Sequence, residues 1–346
     1  MLNKIKNRIE KEIPCFMSFL NKTYGLDDLS PLLFSRIKEF VSRSGKRIRP
    51  SLFVAGYLGY KHKPAPFLFR SALSIELLHD FMLVHDDIID KSDLRRGKPS
   101  MHSMFNKDLK KFNDVKFNGQ DLAIVAGDIM YAMGLKGFLE VRENPVHKEA
   151  ALKKIIDAAV YTGNGEFIEL LLGSKNIDTV TEDEITKVYD YKTAFYTFAC
   201  PLSAGALLAG AKKKQTDNLF HFGMALGRGF QIKDDILGLY GDEKIIGKST
   251  LTDLQEAKKT ILIWYAYNHA PKTHTKTIRS IMNKTHVTPA DVDTIRGIIC
   301  ESGALEYAKA EVNTLLKKTR TLLFKTAMAP AYKNAIYNYS EKILSL

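Results

Sequence analysis

Nearly every stretch of this chain repeats its apolar residues at intervals of three and four. The spacing runs through 4–20, 31–43, 50–60, 66–91, 121–141, 147–172, 182–211, 215–240, 254–270, 288–297, 301–320 and 328–345. That period marks one face of an α-helix. The two-residue alternation of a half-buried strand, with its hairpin turns, is essentially absent. Breaks fall at Gly45, Pro64–Pro66, Gly97–Pro99, Gly119, Asn144–Pro145, Gly173 and Gly241, where glycine and proline interrupt helices. The stretch NKDLKKFNDVKFNGQ at 106–120 reads as a polar loop. No linker or internal repeat divides the chain. The pattern predicts an all-α fold, a single domain over 1–346 built of long antiparallel helices.

Composition narrows the function. With 45% apolar and 26% charged residues, the 346-residue chain has the makeup of a globular protein with a sizeable core. Its net charge of +12 comes from scattered lysines, apart from a short run at 212–214. No RNA-binding aromatic signature or zinc-finger spacing accompanies them, so nucleic acid is not the expected partner. Cys15, Cys200 and Cys300 are few, odd in number and far apart, which fits a reducing compartment without a disulfide framework. The start, MLNKIKNRIEKEIP, lacks the apolar core of a signal peptide. PLSAGALLAGA at 201–211 is too short to span a bilayer. A cytoplasmic protein without a transmembrane segment is expected.

Two acidic clusters break the apolar pattern. In ELLHDFMLVHDDIID, residues 76–90, Asp86 and Asp90 are four apart and share one helix face, with His79 near the same stripe. Like charges at that spacing repel, and a divalent cation offsets them directly. The second cluster, FQIKDDILGLYGDEKIIGKST at 230–250, carries Asp234 and Asp235, with Lys248 and then Asp253, Lys258 and Lys259 further on. Carboxylate oxygens without thiolates suit hard ions, Mg²⁺ or Mn²⁺. Mg²⁺ takes one or two carboxylates and completes its shell with water and phosphate. Acids beside abundant lysines and arginines therefore describe a site for a metal-bound diphosphate. Either cluster alone could be an exposed acidic helix end; the pair argues otherwise. A di-iron bundle needs two ExxH elements, and only ELLH at 76–79 has that form.

In these residues the chain resembles the trans-isoprenyl diphosphate synthases, the polyprenyl synthetase family. The likeness runs in order through GKRIRP at 45–50, ELLHDFMLVHDDIIDKSDLRRGKPSMH at 76–102, AGD at 126–128, GEFIEL at 165–170, YKTA at 191–194 and FQIKDDILGLYGDEKIIGKSTLTDLQEAKKT at 230–260. The resemblance implies the isoprenoid synthase fold, helices around a central cavity, usually in a homodimer. It implies head-to-tail prenyl transfer, in which an allylic diphosphate ionises, isopentenyl diphosphate attacks the cation and a proton is lost. It assigns Mg²⁺ to Asp86, Asp90 and Asp234. Arg95, Lys192, Lys248 and Lys258 would hold the allylic diphosphate or the departing pyrophosphate. Lys46, Arg49, His79 and Arg96 would hold isopentenyl diphosphate. Thr193 and Gln231 would lie nearest the cation. Among the neighbours, Arg47 reads as an exposed member of its motif, Lys244 and Lys259 as solvated, and Asp87 and Asp235 as groups that orient their neighbours.

One position departs from the family. Where a third aspartate is common in the second cluster, this chain has Gly238, leaving Asp253 and Asp242 as candidates to act through water. Product length in the family follows the floor of the cavity, which the helix carrying Asp86 lines. Phe81, five residues before Asp86, is bulky; Met82 is flexible, and Leu78 lies one turn below Phe81. One aromatic at the farther place resembles geranylgeranyl diphosphate synthases of archaeal type, with farnesyl diphosphate the alternative product. A class I terpene cyclase would have no need of GKRIRP, His79 or the second arginine of RR. A non-catalytic subunit of a heteromeric synthase would be expected to have lost more of these residues.

Overall fold

The computed structural model describes residues 1–241 and 251–345, and these are helical nearly throughout. In chain order the helices are α1 (Leu2–Tyr24), α2 (Leu26–Leu29), α3 (Pro31–Val41), α4 (Ile48–Leu58), α5 (Leu68–Ile89), α6 (Met101–Leu109), α7 (Gly119–Phe138), α8 (Pro145–Ser174), α9 (Glu182–Val188), α10 (Cys200–Leu208) and α11 (Lys213–Tyr240). A π-helical stretch, Tyr189–Ala199, joins α9 to α10. A single turn at Thr252–Gln255 precedes five further helices, Ile261–His269, Lys272–Met282, Pro289–Glu301, Ala304–Phe324 and Pro330–Leu344. The all-α expectation is met. Among the described residues, no helix is long and apolar enough to cross a membrane.

The chain folds into two compact units, one of Met1–Ile155 with Ala204–Ala211, the other of Ile156–Ser203 with Lys212–Leu346. In the first, α5 is the central helix and packs on α1, α4 and α7. Its sequence explains the position. Leu73, Ile75, Leu77, Leu78 and Val84 are all buried, and a helix apolar on most sides must be covered on most sides. On α1, Ile5, Ile9, Ile13, Phe16 and Leu20 form the single buried stripe of an amphipathic helix. α7 starts at Asn118, whose side chain accepts from the Asp121 amide while Asp121 accepts from the Asn118 amide, a reciprocal cap for the first turn.

The second unit is built around α11, which packs on the π-helical stretch and on Ala304–Phe324. Glycine makes one close approach possible here. A Cβ on Gly165 of α8 would fall 2.4 Å from the Lys192 backbone nitrogen, so the π-helical stretch can lie against α8 only at a residue without a side chain.

Several local expectations are corrected. The helix expected over 254–270 begins only at Ile261, because Thr260 adopts extended backbone and its hydroxyl accepts from the Ile263 amide, ending the preceding loop with a cap. Lys272–Met282 is a helix the pattern missed, with Ile278, Ile281 and Met282 buried. The polar segment 106–120 starts inside α6, where Asp108 is clamped by Arg36 at 2.5 and 2.6 Å. A short hairpin also forms, pairing β1 (Leu94–Arg95) with β2 (Lys98–Pro99). Its two turn residues, Arg96 and Gly97, both have positive φ (55° and 72°), as a primed hairpin turn requires.

Candidate active site

The first unit gathers a basic tray over α5. α4 supplies Arg49 and its N-cap Arg47, and the hairpin turn supplies Arg96. Beneath them lie two carboxylates one turn apart on α5, Glu76 and Asp80, both buried. Arg47 donates to Glu76 at 2.7 Å and to the Val41 and Arg43 carbonyls. It is 2% exposed, which corrects its reading as an exposed residue. The GKRIRP motif folds inward because Arg47 takes positive φ (49°) and finds a buried acid. Arg96 reaches Asp80 at 3.3 Å and Glu76 at 3.6 Å. His79 shares this environment. Burial holds its imidazole well below the usual histidine range, and Arg49, Arg96, Arg95 and Arg47 push the same way. His79 is therefore a neutral hydrogen-bonding group at pH 7, set among fixed cations. Lys46 is exposed at the edge of the motif.

At the end of α5 stand the acids of the first cluster. Asp86 is partly buried and Asp90, the C-cap, is exposed. Asp87 points the other way and is buried, with Arg95 donating from Nε to its Oδ1 at 2.7 Å. Burial raises the Asp87 carboxyl, and the Arg95 contact works against that rise. Asp87 thus holds Arg95. One to two turns earlier, Phe81 packs edge-to-face on Tyr131 of α7, with centroids 5.1 Å apart. It also meets His85 at 5.8 Å. Leu78 is buried against Gly134 of α7, and Met82 is partly buried. Tyr131 gave no signal in the sequence; only the packing of α7 on α5 brings it to Phe81.

The second unit holds the other acid–base centre. Asp234 is exposed on α11, while Asp235 is buried. Thr193 donates to the Gln231 carbonyl at 2.8 Å, and the Gln231 amide donates to Asp235 at 3.0 Å. The Tyr189 hydroxyl donates to Asp235 and accepts from the Ile261 amide. Burial pushes Asp235 well above the usual carboxylate range, against the hydrogen bonds from Tyr189 and Gln231. Thr193 and Gln231 are thus fixed by a polar chain with Asp235 at its base. Lys192 sits between two acids of α8, Glu166 at 2.6 Å and Glu169, so GEFIEL and YKTA, far apart in sequence, are one contact.

Gly238 explains its own departure. A Cβ there would lie 2.5 Å from the Asp253 carboxylate. Asp253 occupies the space an aspartate side chain would have claimed. Its carboxylate is 3.4 Å from the Lys258 ammonium, which Glu256 also holds at 2.8 Å. Burial works against the charge on Lys258, but Glu169, Asp253 and Glu256 together keep its ammonium above the usual lysine range. Lys259, expected in solvent, is buried and donates to the Gly173 and Ala257 carbonyls. Lys248, Lys244 and Asp242 lie outside the described residues.

The donor chemistry fits a hard cation. Asp86, Asp90, Asp234 and Asp253 offer only carboxylate oxygen. Among the described residues, no group of three or more metal-ligating side chains lies together.

Helices carrying two acid–base centres of this kind define an all-α enzyme of the isoprenoid synthase fold. The family described as polyprenyl synthetase matches residues 30–299, and the chain belongs to that family. It is accordingly a prenyl diphosphate synthase, a transferase of prenyl groups. The chain is 32% identical over 305 residues to geranylfarnesyl diphosphate synthase of Aeropyrum pernix, covering 86% of this chain and 89% of that one. It is 31% identical over 312 residues to geranylgeranyl diphosphate synthase of Saccharolobus solfataricus, covering 88% and 85%. Geranylgeranyl pyrophosphate synthase of Corynebacterium glutamicum, solved with isoprenyl diphosphate and magnesium, superposes with a TM-score of 0.87 at 26% identity, over 100% of this chain and 99% of that one.

Proposed function

We propose that the enzyme condenses isopentenyl diphosphate head-to-tail with allylic diphosphates, using Mg²⁺, and releases geranylgeranyl diphosphate. The Phe81–Tyr131 pair carries the product assignment. Two aromatic rings in contact, one of them on the helix that bears Asp86, form a wall that a growing apolar tail must meet. Met82, next to Phe81 in the chain and partly buried, is flexible enough to yield to the tail.

The roles follow the chemistry of each group. Asp86 and Asp90 in the first unit, and Asp234 in the second, would each bind Mg²⁺, with Asp253 as the carboxylate standing in at Gly238. Bound there, Mg²⁺ would supply Lewis-acid charge to a leaving pyrophosphate, and the magnesium in the Corynebacterium enzyme supports it as the ion. Arg95, fixed by Asp87, and Lys192 and Lys258, fixed by glutamates, take the remaining charge of the allylic diphosphate, together with Lys248. Arg49, Arg96 and neutral His79 hold isopentenyl diphosphate, with Lys46 at the rim. The Thr193 hydroxyl and the Gln231 amide carbonyl, held by their mutual hydrogen bond, would supply oxygen dipoles that stabilise the allylic cation.

We also propose that the protein works as a cytoplasmic homodimer. On α8, Val160, Phe167 and Leu171 recur at helical spacing and are 58%, 63% and 52% exposed. An apolar stripe of this kind marks a surface that another chain covers.

Product analysis tests the assignment. Purified enzyme, Mg²⁺ and isopentenyl diphosphate are incubated with dimethylallyl, geranyl or farnesyl diphosphate, and the dephosphorylated alcohols are separated by length. Geranylgeraniol is the expected product. Farnesol would move the floor nearer the metal, geranylfarnesol would move it further away, and a cyclic hydrocarbon would overturn prenyl transfer to isopentenyl diphosphate.

A further inference from the structure

We propose that Asp80 is a positioning residue that sets the charge presented by Arg96, and that its protonation controls how tightly the enzyme takes isopentenyl diphosphate. This rests on the assignment of Arg96 to that substrate.

The geometry is specific. Asp80 is wholly buried on α5, and its Oδ1 meets Arg96 Nη2 at 3.3 Å. Its Oδ2 is buried with no hydrogen-bond partner. One turn earlier, Glu76 is committed to Arg47 at 2.7 Å. Arg96 sits in a hairpin turn at positive φ, uncommon for a bulky residue. Asp80 and Glu76 are the acids that meet its guanidinium over α5.

An ionised oxygen buried without a donor is costly, and a neutral carboxyl is less so. The charged groups acting on Asp80 are Glu76 on its own helix, Arg47 and Arg49 from α4 and its cap, and Arg96 from the hairpin. Burial and then Glu76 raise the Asp80 carboxyl to about 8, against the pull of Arg96, Arg47 and Arg49. With the proton on, Arg96 keeps its full charge for a diphosphate. With the proton off, Asp80 and the diphosphate compete for one guanidinium. A bound diphosphate in turn favours the protonated carboxyl, because it adds negative charge nearby.

The test separates KM for isopentenyl diphosphate from KM for the allylic substrate across pH 6.5–9.5 in the Mg²⁺-loaded enzyme. If binding needs the proton, KM for isopentenyl diphosphate rises by about ten-fold from pH 7 to pH 9, following the protonated fraction. KM for the allylic substrate stays flat. Asp80→Asn is isosteric with the neutral acid, so it should keep a low KM and lose the pH dependence. Asp80→Ala removes the support of Arg96 and should raise KM for isopentenyl diphosphate by roughly ten-fold at every pH, with kcat little changed. Circular dichroism confirms that each variant is folded, and Asp80→Asn serves if Asp80→Ala is not.

A pH rise that survives in Asp80→Asn overturns the proposal, as does an equal effect of either variant on both substrates. Arg96→Ala tests the underlying assignment separately. If it leaves KM for isopentenyl diphosphate unchanged, the substrate assignment fails. If it raises that KM while both Asp80 variants behave as native, only the role of Asp80 fails.

Discussion

Phe81 and Tyr131 meet edge-to-face at 5.1 Å, a geometry aromatic rings favour. Truncating Phe81 removes half of that wall. Phe81→Ala should shift the main product to a longer prenyl chain, read as a longer alcohol after dephosphorylation. An unchanged product would show that the tail never reaches this pair. The other single-residue lesson is compensation. Gly238 looks like a lost ligand in the sequence, yet Asp253, fifteen residues on, fills its space. Arg47 and Lys259 teach the converse, since each reads as a solvated cation and each is buried on acceptors. Charge is visible in a sequence, but the acceptor that makes its burial tolerable is not.

Among the elements, the π-helical stretch Tyr189–Ala199 carries the most chemistry. The wider turn displays Tyr189, Lys192 and Thr193 toward Asp235, Glu166 and Gln231, and π-helical segments recur at functional sites. Its seat on α8 depends on Gly165, where even a methyl group would overlap backbone atoms. Gly165→Ala should therefore cost about 1–3 kcal/mol of stability, as overpacking does, and lower kcat by displacing Lys192 and Thr193. Denaturant melts and steady-state kinetics check the two effects; a native melt with native kcat would mean the stretch tolerates a shift. The helical period located most elements but not the π-helical winding, because apolar spacing registers which face is buried rather than which carbonyl each amide selects.

At the scale of the whole molecule, the exposed stripe on α8 sets the expectation. Phe167→Glu should convert a dimer to a monomer in light scattering after gel filtration, because a charge in an apolar interface loses its hydration. A native-mass dimer would place the interface elsewhere. The sequence by itself determined the all-α class, most of the helices and the residue types of both acid–base centres, because periodicity and acid–base spacing are local properties of a chain. It also carried the family, through motifs that match over 30–299. Tertiary structure alone decided which acid holds which base: Glu76 with Arg47, Asp80 with Arg96, Asp87 with Arg95, and Glu166 and Glu169 with Lys192. It alone brought Tyr131 to Phe81 and Asp253 to Gly238. These pairings join residues on different elements, and their energies depend on burial and distance, which exist only once the helices have packed.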